Sequence, residues 1–126
     1  METGEVRFIG KVVEVKGESS IIELYSPFCP GLNELDSYSE VFILYWFHQR
    51  DNDEHRNVLK VVPRRHGETR ERGVFASRSP SRPNPIGLTR FELVSIDGCR
   101  VRVKGLDAFE GSPVVDLKPV SSRSRN

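Results

Sequence analysis

The sequence predicts an all-β domain: a small closed or nearly closed antiparallel β-barrel with short helical turns. Three observations carry this expectation. About seven short stretches rich in β-branched and aromatic residues recur along the 126 residues. Asp97-Gly98 stands between two of them as a strong hairpin signal. No window of about a dozen residues shows a sustained helical period. A sandwich is the alternative arrangement of the same strands.

Taken in order, Arg7 to Val15 reads as a strand in which Gly10 marks a bulge or bend, and Ser20 to Tyr25 returns as its hairpin partner after Lys16-Gly17. Pro27 to Asp36 is a loop with one helical turn at Leu32 to Leu35. Val41 to His48 (VFILYWFH) lacks alternation, which predicts a central strand covered on both faces. A polar loop, Gln49 to Asn57, leads to a strand at Val58 to Pro63. Arg64 to Arg72 contains no apolar residue and reads as a mobile basic loop, followed by a short buried strand at Val74 to Ala76. Ser77 to Gly87 has three prolines in eleven residues and fits neither a regular helix nor a central strand. Leu88 to Ile96 and Cys99 to Leu106 form the Asp97-Gly98 hairpin. A turn at Asp107 to Pro113 and a last strand at Val114 to Leu117 complete the path. The expected domain is residues 1–120, with 121–126 as a flexible tail.

Composition narrows the function. The chain is 37% hydrophobic and 29% charged, with a formal charge of +1, which argues against wholesale disorder. Its longest apolar run, Val41 to Phe47, has seven residues, far short of the roughly 20 a membrane helix requires. METGEVRF carries acids and no apolar core, so no secretory signal is read there, and a cytoplasmic location is expected. Cys29 and Cys99 are too few and too far apart to suggest a disulfide framework or a zinc pattern, and His48, His55 and His66 have no metal-ligand spacing. No metal and no membrane partner are expected. Neither phosphate-binding glycine loop occurs, nor does a GxSxG nucleophile elbow.

The near-zero charge hides an asymmetry. Lys60 to Arg90 holds eight bases and two acids, +6 over 31 residues, which leaves −5 for the rest. Seven of the eight bases are arginine, whose planar fork suits phosphate. This stripe is a footprint for nucleic acid or a phosphorylated ligand, or else a solvated loop paired with acids elsewhere. Arg64, Arg65, Arg70, Arg72 and Arg82 are the candidate substrate-binding residues. Within the same region Pro83 and Pro85 stiffen the backbone on both sides of Asn84 and present Arg82 and Asn84 at low entropy cost. An Asn amide can pair with an adenine edge. A rigid turn in which Asn84 bonds its own backbone is an equal reading. In DAFEGSPVVD (Asp107 to Asp116), Gly111 permits close approach of a ligand, and an ordinary surface turn is the alternative.

GVFASRSPSRPNPIGLT (Gly73 to Thr89) resembles the signature of the TrmO/YaeB family, also called the TsaA-like domain. Phe8 to Gly10, Leu44 to Gln49 and LDAFEGSPVVDLKP (Leu106 to Pro119) follow the family order over nearly the whole chain. The resemblance implies a small β-barrel that binds S-adenosyl-L-methionine and methylates the exocyclic nitrogen of threonylcarbamoyladenosine beside the anticodon of a tRNA. It also implies a homodimer. By position, His48, Gln49, Arg78, Leu88, Ala108, Phe109, Glu110 and Gly111 match cofactor contacts. Asn84 and Asp116 are the catalytic candidates. The sequence departs from bacterial members by lacking a PRQ segment after the first strand, and SPFCPG (Ser26 to Gly31) is the expected replacement wall. Glu40 stands where the family's FSHLW has His. The other expectations are a non-catalytic module that binds the cofactor or RNA, and a methyltransferase for a different acceptor.

Overall fold

In the computed structural model, residues 1–63, 69–105 and 110–121 are described. They form two compact units, Met1–Trp46 with Leu88–Asn126, and Phe47–Gly87.

The first unit is a closed antiparallel barrel. Its strands are β1 (Gly10–Lys16), β2 (Ser19–Leu24), β3 (Glu40–Trp46), β6 (Ile86–Asp97), β7 (Arg100–Lys104) and β8 (Pro113–Pro119), joined in the order β1-β2-β7-β6-β3-β8. The interior follows the period of two. Val12 of β1, Ile22 of β2 and Val101 of β7 share one register line, and Ser20, Val103 and Leu93 share another. Val41, Ile43 and Tyr45 face inward from β3, with Phe91 and Val114 beside them in the buried core. Tyr45 brings a hydroxyl to this core and shares a 2.8 Å hydrogen bond with Thr89 Oγ1, which removes the penalty of burying it unpaired.

Gly10 has a different reason from the bulge the sequence suggests. The register shift of the first hairpin falls between Val12 and Glu14. At Gly10 the strands close together instead: a Cβ there would collide with the Glu23 carbonyl oxygen and stand 2.9 Å from Leu24 Cα. The same residue pairs with Val114 in the short β1–β8 seam, which contains Gly10↔Val114 and Lys11↔Pro113. The second hairpin turns at Gly98-Cys99, with Asp97 and Arg100 as the last pair.

Several boundaries move. β3 does alternate: Val41, Ile43 and Tyr45 are buried while Phe42, Leu44 and Trp46 are half-buried. Its outer face is therefore only partly covered, in part by Phe8, whose ring centroid lies 5.7 Å from that of Trp46. Two 3₁₀ turns, Ser26–Leu32 and Leu35–Ser37, replace the single helical turn at Leu32 to Leu35. Prolines at positions 27 and 30 suit such tight turns better than a longer helix. Cys29 and Cys99 are paired as a disulfide with their Cα atoms 5.2 Å apart, a link the 70-residue separation concealed. The tertiary cause is local. Leu24 N donates to the Cys99 carbonyl at 2.9 Å, so the segment leaving β2 passes directly beside the second hairpin turn.

Glu40 and Arg90 form a bidentate pair on the barrel exterior, with Nε–Oε2 at 2.8 Å and Nη2–Oε1 at 2.6 Å. Glu40, where the bacterial pattern has His, is therefore a strand-to-strand ion-pair partner. The hydrogen bond from Arg90 holds its carboxyl below the usual range. A carboxyl with a lower pKa in the folded state stabilises the fold above its unfolded pKa, and loses that contribution as the pH falls through the folded one. Glu40→Gln is expected to make the acid loss of stability slightly shallower, read as the thermal midpoint against pH. The effect is small because the pair is solvent-exposed.

In the second unit the predicted strand at Val58 to Pro63 shortens to β4 (Lys60–Val61), which pairs with β5 (Arg72–Gly73). Arg72 thus belongs to a strand, not to the basic loop. Val74–Ala76 is a 3₁₀ turn with Val74 alone buried, not a buried strand. The polar loop after β3 contains a helical turn, α1 (Asp53–Arg56).

Candidate functional site

The Phe47–Gly87 unit builds its proline-rich segment into a fixed surface. Asn52 caps α1 by accepting from His55 N at 2.9 Å, as an N-cap asparagine should. That cap sets Arg56, and Arg56 holds the segment. Nε donates to the Pro83 carbonyl at 2.8 Å, Nη2 to Asn84 Oδ1 at 3.3 Å, and Nη1 to Asp51 Oδ1 at 3.0 Å. His55 Nδ1 shares a 2.7 Å hydrogen bond with Ser81 Oγ, and Arg50 Nη1 lies 3.3 Å from His55 Nε2. Ser79 N donates to Ser77 Oγ, and Ser81 N to Ser79 Oγ, each at 3.2 Å. These local turns satisfy backbone groups that three prolines keep out of regular structure.

The site candidates in this unit follow from that frame. His48 and Gln49 are exposed in a 3₁₀ turn (His48–Arg50). The backbone just before them is tied to the proline segment by Phe47 N donating to the Pro85 carbonyl at 2.7 Å. Asn84 is exposed, and its side chain does not bond its own backbone. Arginine can only donate, so the atom facing Arg56 is Oδ1, and the amide offers its N–H₂ to a ligand. Arg82 donates to the Ser77 and Ser79 carbonyls at 3.0 and 3.3 Å, so part of its fork stabilises its own loop. Arg70, Arg72 and Arg78 are exposed. Arg64 and Arg65 lie outside the described residues.

In the barrel unit, Leu88 is 50% exposed on β6. Glu110 and Gly111 are exposed in a turn, and Gly111 has φ +89°, a conformation open to glycine and strained for most other residues. Its N–H is engaged by the Val12 carbonyl at 2.7 Å, so this peptide group serves the barrel. Ala108 and Phe109 lie outside the described residues. Asp116 is half-buried. Its Oδ1 accepts from Leu117 N at 2.8 Å, and Oδ2 stands 3.4 Å from Lys118 Nζ.

Asp116 also lines an open cleft of about 460 Å³, together with Phe28, Asn33, Glu34, Tyr38 and Leu117. This size is in the range of small-molecule sites. The Ser26–Leu32 turn supplies one wall of this cleft, as Phe28, Gly31 and Leu32. Glu34 adopts φ +68°, an uncommon left-handed conformation for this residue type. Sequence reasoning missed both these residues and Arg56. The Arg56 signal was legible: Asn52 before two acids and then His55 and Arg56 is the charge order of a capped helical turn. The cleft has no such signal, because its walls come from segments far apart in the chain.

Among the described residues no group of three or more His, Cys, Asp or Glu is arranged to hold a metal ion, and no helix is long and apolar enough to cross a membrane.

Residues 11–124 match the family model of the tRNA-methyltransferase O N-terminal domain. The chain belongs to this family. Within the TrmO N-terminal-domain family, it is 46% identical over 102 residues to a probable S-adenosyl-L-methionine-binding protein of Methanothermobacter thermautotrophicus. That match covers 81% of this chain and 69% of the relative. A probable S-adenosyl-L-methionine-binding protein of Methanocaldococcus jannaschii is 35% identical, with 89% of each chain covered. A crystal structure of TrmO from Pseudomonas aeruginosa superposes with a TM-score of 0.70 at 28% identity, covering 96% of this chain. The chain spans 56% of that TrmO chain, and 27% of a second similar protein, from Archaeoglobus fulgidus.

Proposed function

We propose that this protein is an S-adenosyl-L-methionine-dependent tRNA methyltransferase acting on the exocyclic nitrogen of threonylcarbamoyladenosine beside the anticodon, and that it works as a homodimer in the cytoplasm. The observation that carries the reading is the family match over residues 11–124, joined to relatives named for binding this cofactor.

The chemistry of the residues present fits the cofactor. Its adenosine and methionyl parts need hydrogen-bond donors for a carboxylate, acceptors for ribose hydroxyls and an apolar face for adenine. His48, Gln49 and Arg78 offer the donors, exposed on the Phe47–Gly87 unit. Glu110 offers the acceptor beside Gly111, and Leu88 the apolar surface. Ala108 and Phe109 complete the set that the resemblance assigns. When bound, the cofactor supplies an electrophilic methyl group on a sulfonium.

The chain's residues position the acceptor and remove its proton. A urea-like nitrogen conjugated to a purine is a weak nucleophile until deprotonated, so a carboxylate within hydrogen-bond reach of it raises the rate. Asp116 is assigned this role, since it lines a cleft large enough for a ligand. Asn84, held by Arg56 with its N–H₂ outward, is assigned to orient the acceptor through a carbonyl or carboxylate oxygen. Arg64, Arg65, Arg70, Arg72 and Arg82 are assigned to the RNA. Between Phe47 and Gly87 nine bases face five acids, a balance suited to phosphate.

Transfer of a radiolabelled methyl group to threonine tRNA carrying the modified adenosine tests the proposal. The wild-type protein is expected to label it, with Asp116→Asn and Asn84→Ala each slower by about 100-fold. Cofactor binding without transfer to any RNA would replace this reading with that of a binding module. Transfer to another acceptor alone would keep the chemistry and discard the substrate.

A further inference from the structure

Among the described residues, Phe75 is 80% exposed, the largest value of any aromatic side chain that stands out to solvent. Its neighbour Val74 is 1% exposed. A phenylalanine left in water gives up the free energy its burial would supply, so the exposure calls for a use.

The ring stands on a fixed base. Val74 N donates to the Leu59 carbonyl at 2.9 Å, and Ser77 N to the Val74 carbonyl at 3.1 Å, closing the 3₁₀ turn on both sides. Immediately before it, β5 pairs with β4 as Gly73↔Lys60 and Arg72↔Val61. An exposed lysine and an exposed arginine are thus set at defined register positions beside the turn that carries the ring. Among the described residues, Glu71 is the acid next to β5 in the chain, and it stands between Arg70 and Arg72.

We infer that Phe75 is a stacking platform for one unpaired base of the RNA substrate, with Lys60 and Arg72 taking the phosphates that flank it. The inference rests on the reading that the substrate is RNA, and adds which side chain grips a base. Every nucleobase presents a π-face, and single-stranded RNA is commonly held by aromatic rings set among basic side chains. The net positive charge of the surrounding unit favours this occupant over an apolar protein surface, which would have to bury several arginines.

The test uses the full chain and an RNA hairpin of the anticodon stem–loop type, with a fluorescent adenine analogue in its unpaired loop. Wild-type protein is expected to quench the analogue on binding. Phe75→Ala weakens binding roughly 10- to 100-fold with the salt dependence unchanged, Phe75→Trp retains tight binding and quenching, and Phe75→Leu does not. Arg72→Ala instead lowers the slope of log affinity against log salt by about one. A Phe75→Ala protein that binds and quenches like wild type overturns the stacking role while leaving RNA recognition intact. No RNA binding by wild type overturns both. Loss of self-association on Phe75→Ala, seen by sedimentation, overturns stacking by making the ring a protein contact.

Discussion

Arg56→Ala is expected to slow methyl transfer by about 100-fold while leaving the thermal unfolding of the protein nearly unchanged. The Arg56 guanidinium donates to the Pro83 carbonyl, Asn84 Oδ1 and Asp51 Oδ1. It is the cross-link between a capped helical turn and the RPNP segment. Without it, Pro83 and Asn84 lose the contact that sets which end of the Asn84 amide faces outward, and small displacements of a positioning group can cost a factor of about 100 in rate. Its ion pair with Asp51 is solvent-exposed and adds little to stability. Arg56→Lys keeps the charge and loses the fork, so it should recover only part of the rate. Steady-state transfer rates alongside a thermal melt check this. A variant with wild-type turnover would remove Arg56 and Asn84 from the mechanism.

Gly10→Ala is expected to lower the stability of the barrel by about 3 kcal/mol, the upper end for inserting one carbon into a packed site, which at this chain length is a fall of roughly 10 °C in the unfolding midpoint. The new methyl group would meet backbone on the partner strand: the Glu23 carbonyl oxygen and Leu24 Cα. Backbone cannot rotate away as a flexible side chain can. Gly10 is also one of two residues pairing β1 with β8, so a displacement there strains the first hairpin and the closure of the barrel together. Gly4→Ala, where a Cβ meets nothing within 4 Å, is the matched control and should leave the midpoint unchanged.

The barrel was largely legible because its strands obey rules local in sequence. Arg100 to Lys104 alternates base and valine, and Val101 and Val103 are the buried residues, while Asp97-Gly98 located the second hairpin. The elements that moved are those decided by distant partners. Val74 to Ala76 looks like a buried strand by composition, but the strand pairing ends at Gly73, and the following residues turn with Val74 inward and Phe75 out. The reading of Gly10 as a bulge or bend missed a close approach that only the opposing backbone creates. Cys29 and Cys99 were too far apart in sequence to be paired by spacing, yet the Leu24–Cys99 hydrogen bond brings their segments side by side.

The site was legible in a different way. The SRPNP segment announced itself by stiffness and odd composition, while the capped turn that supports it left a local signal but none of its contacts to the segment. Arg56 and His55 are bound to it, at Pro83, Asn84 and Ser81, by contacts spanning 26 to 28 residues. Arg82 was read as a ligand-facing base, and its fork is partly turned back on its own loop. For Asp116, sequence supplied the residue but not the cleft, whose walls at Phe28, Asn33, Glu34 and Tyr38 come from the two 3₁₀ turns and the strand entrance after them.

The most direct measurement of the central claim is titration calorimetry of the intact protein with S-adenosyl-L-methionine and S-adenosylhomocysteine, repeated on Arg78→Ala and Glu110→Ala. The account predicts saturable binding of both ligands, weakened about 10-fold or more by each substitution, the loss expected for one charge-assisted hydrogen bond. An intact protein that binds neither ligand would contradict it.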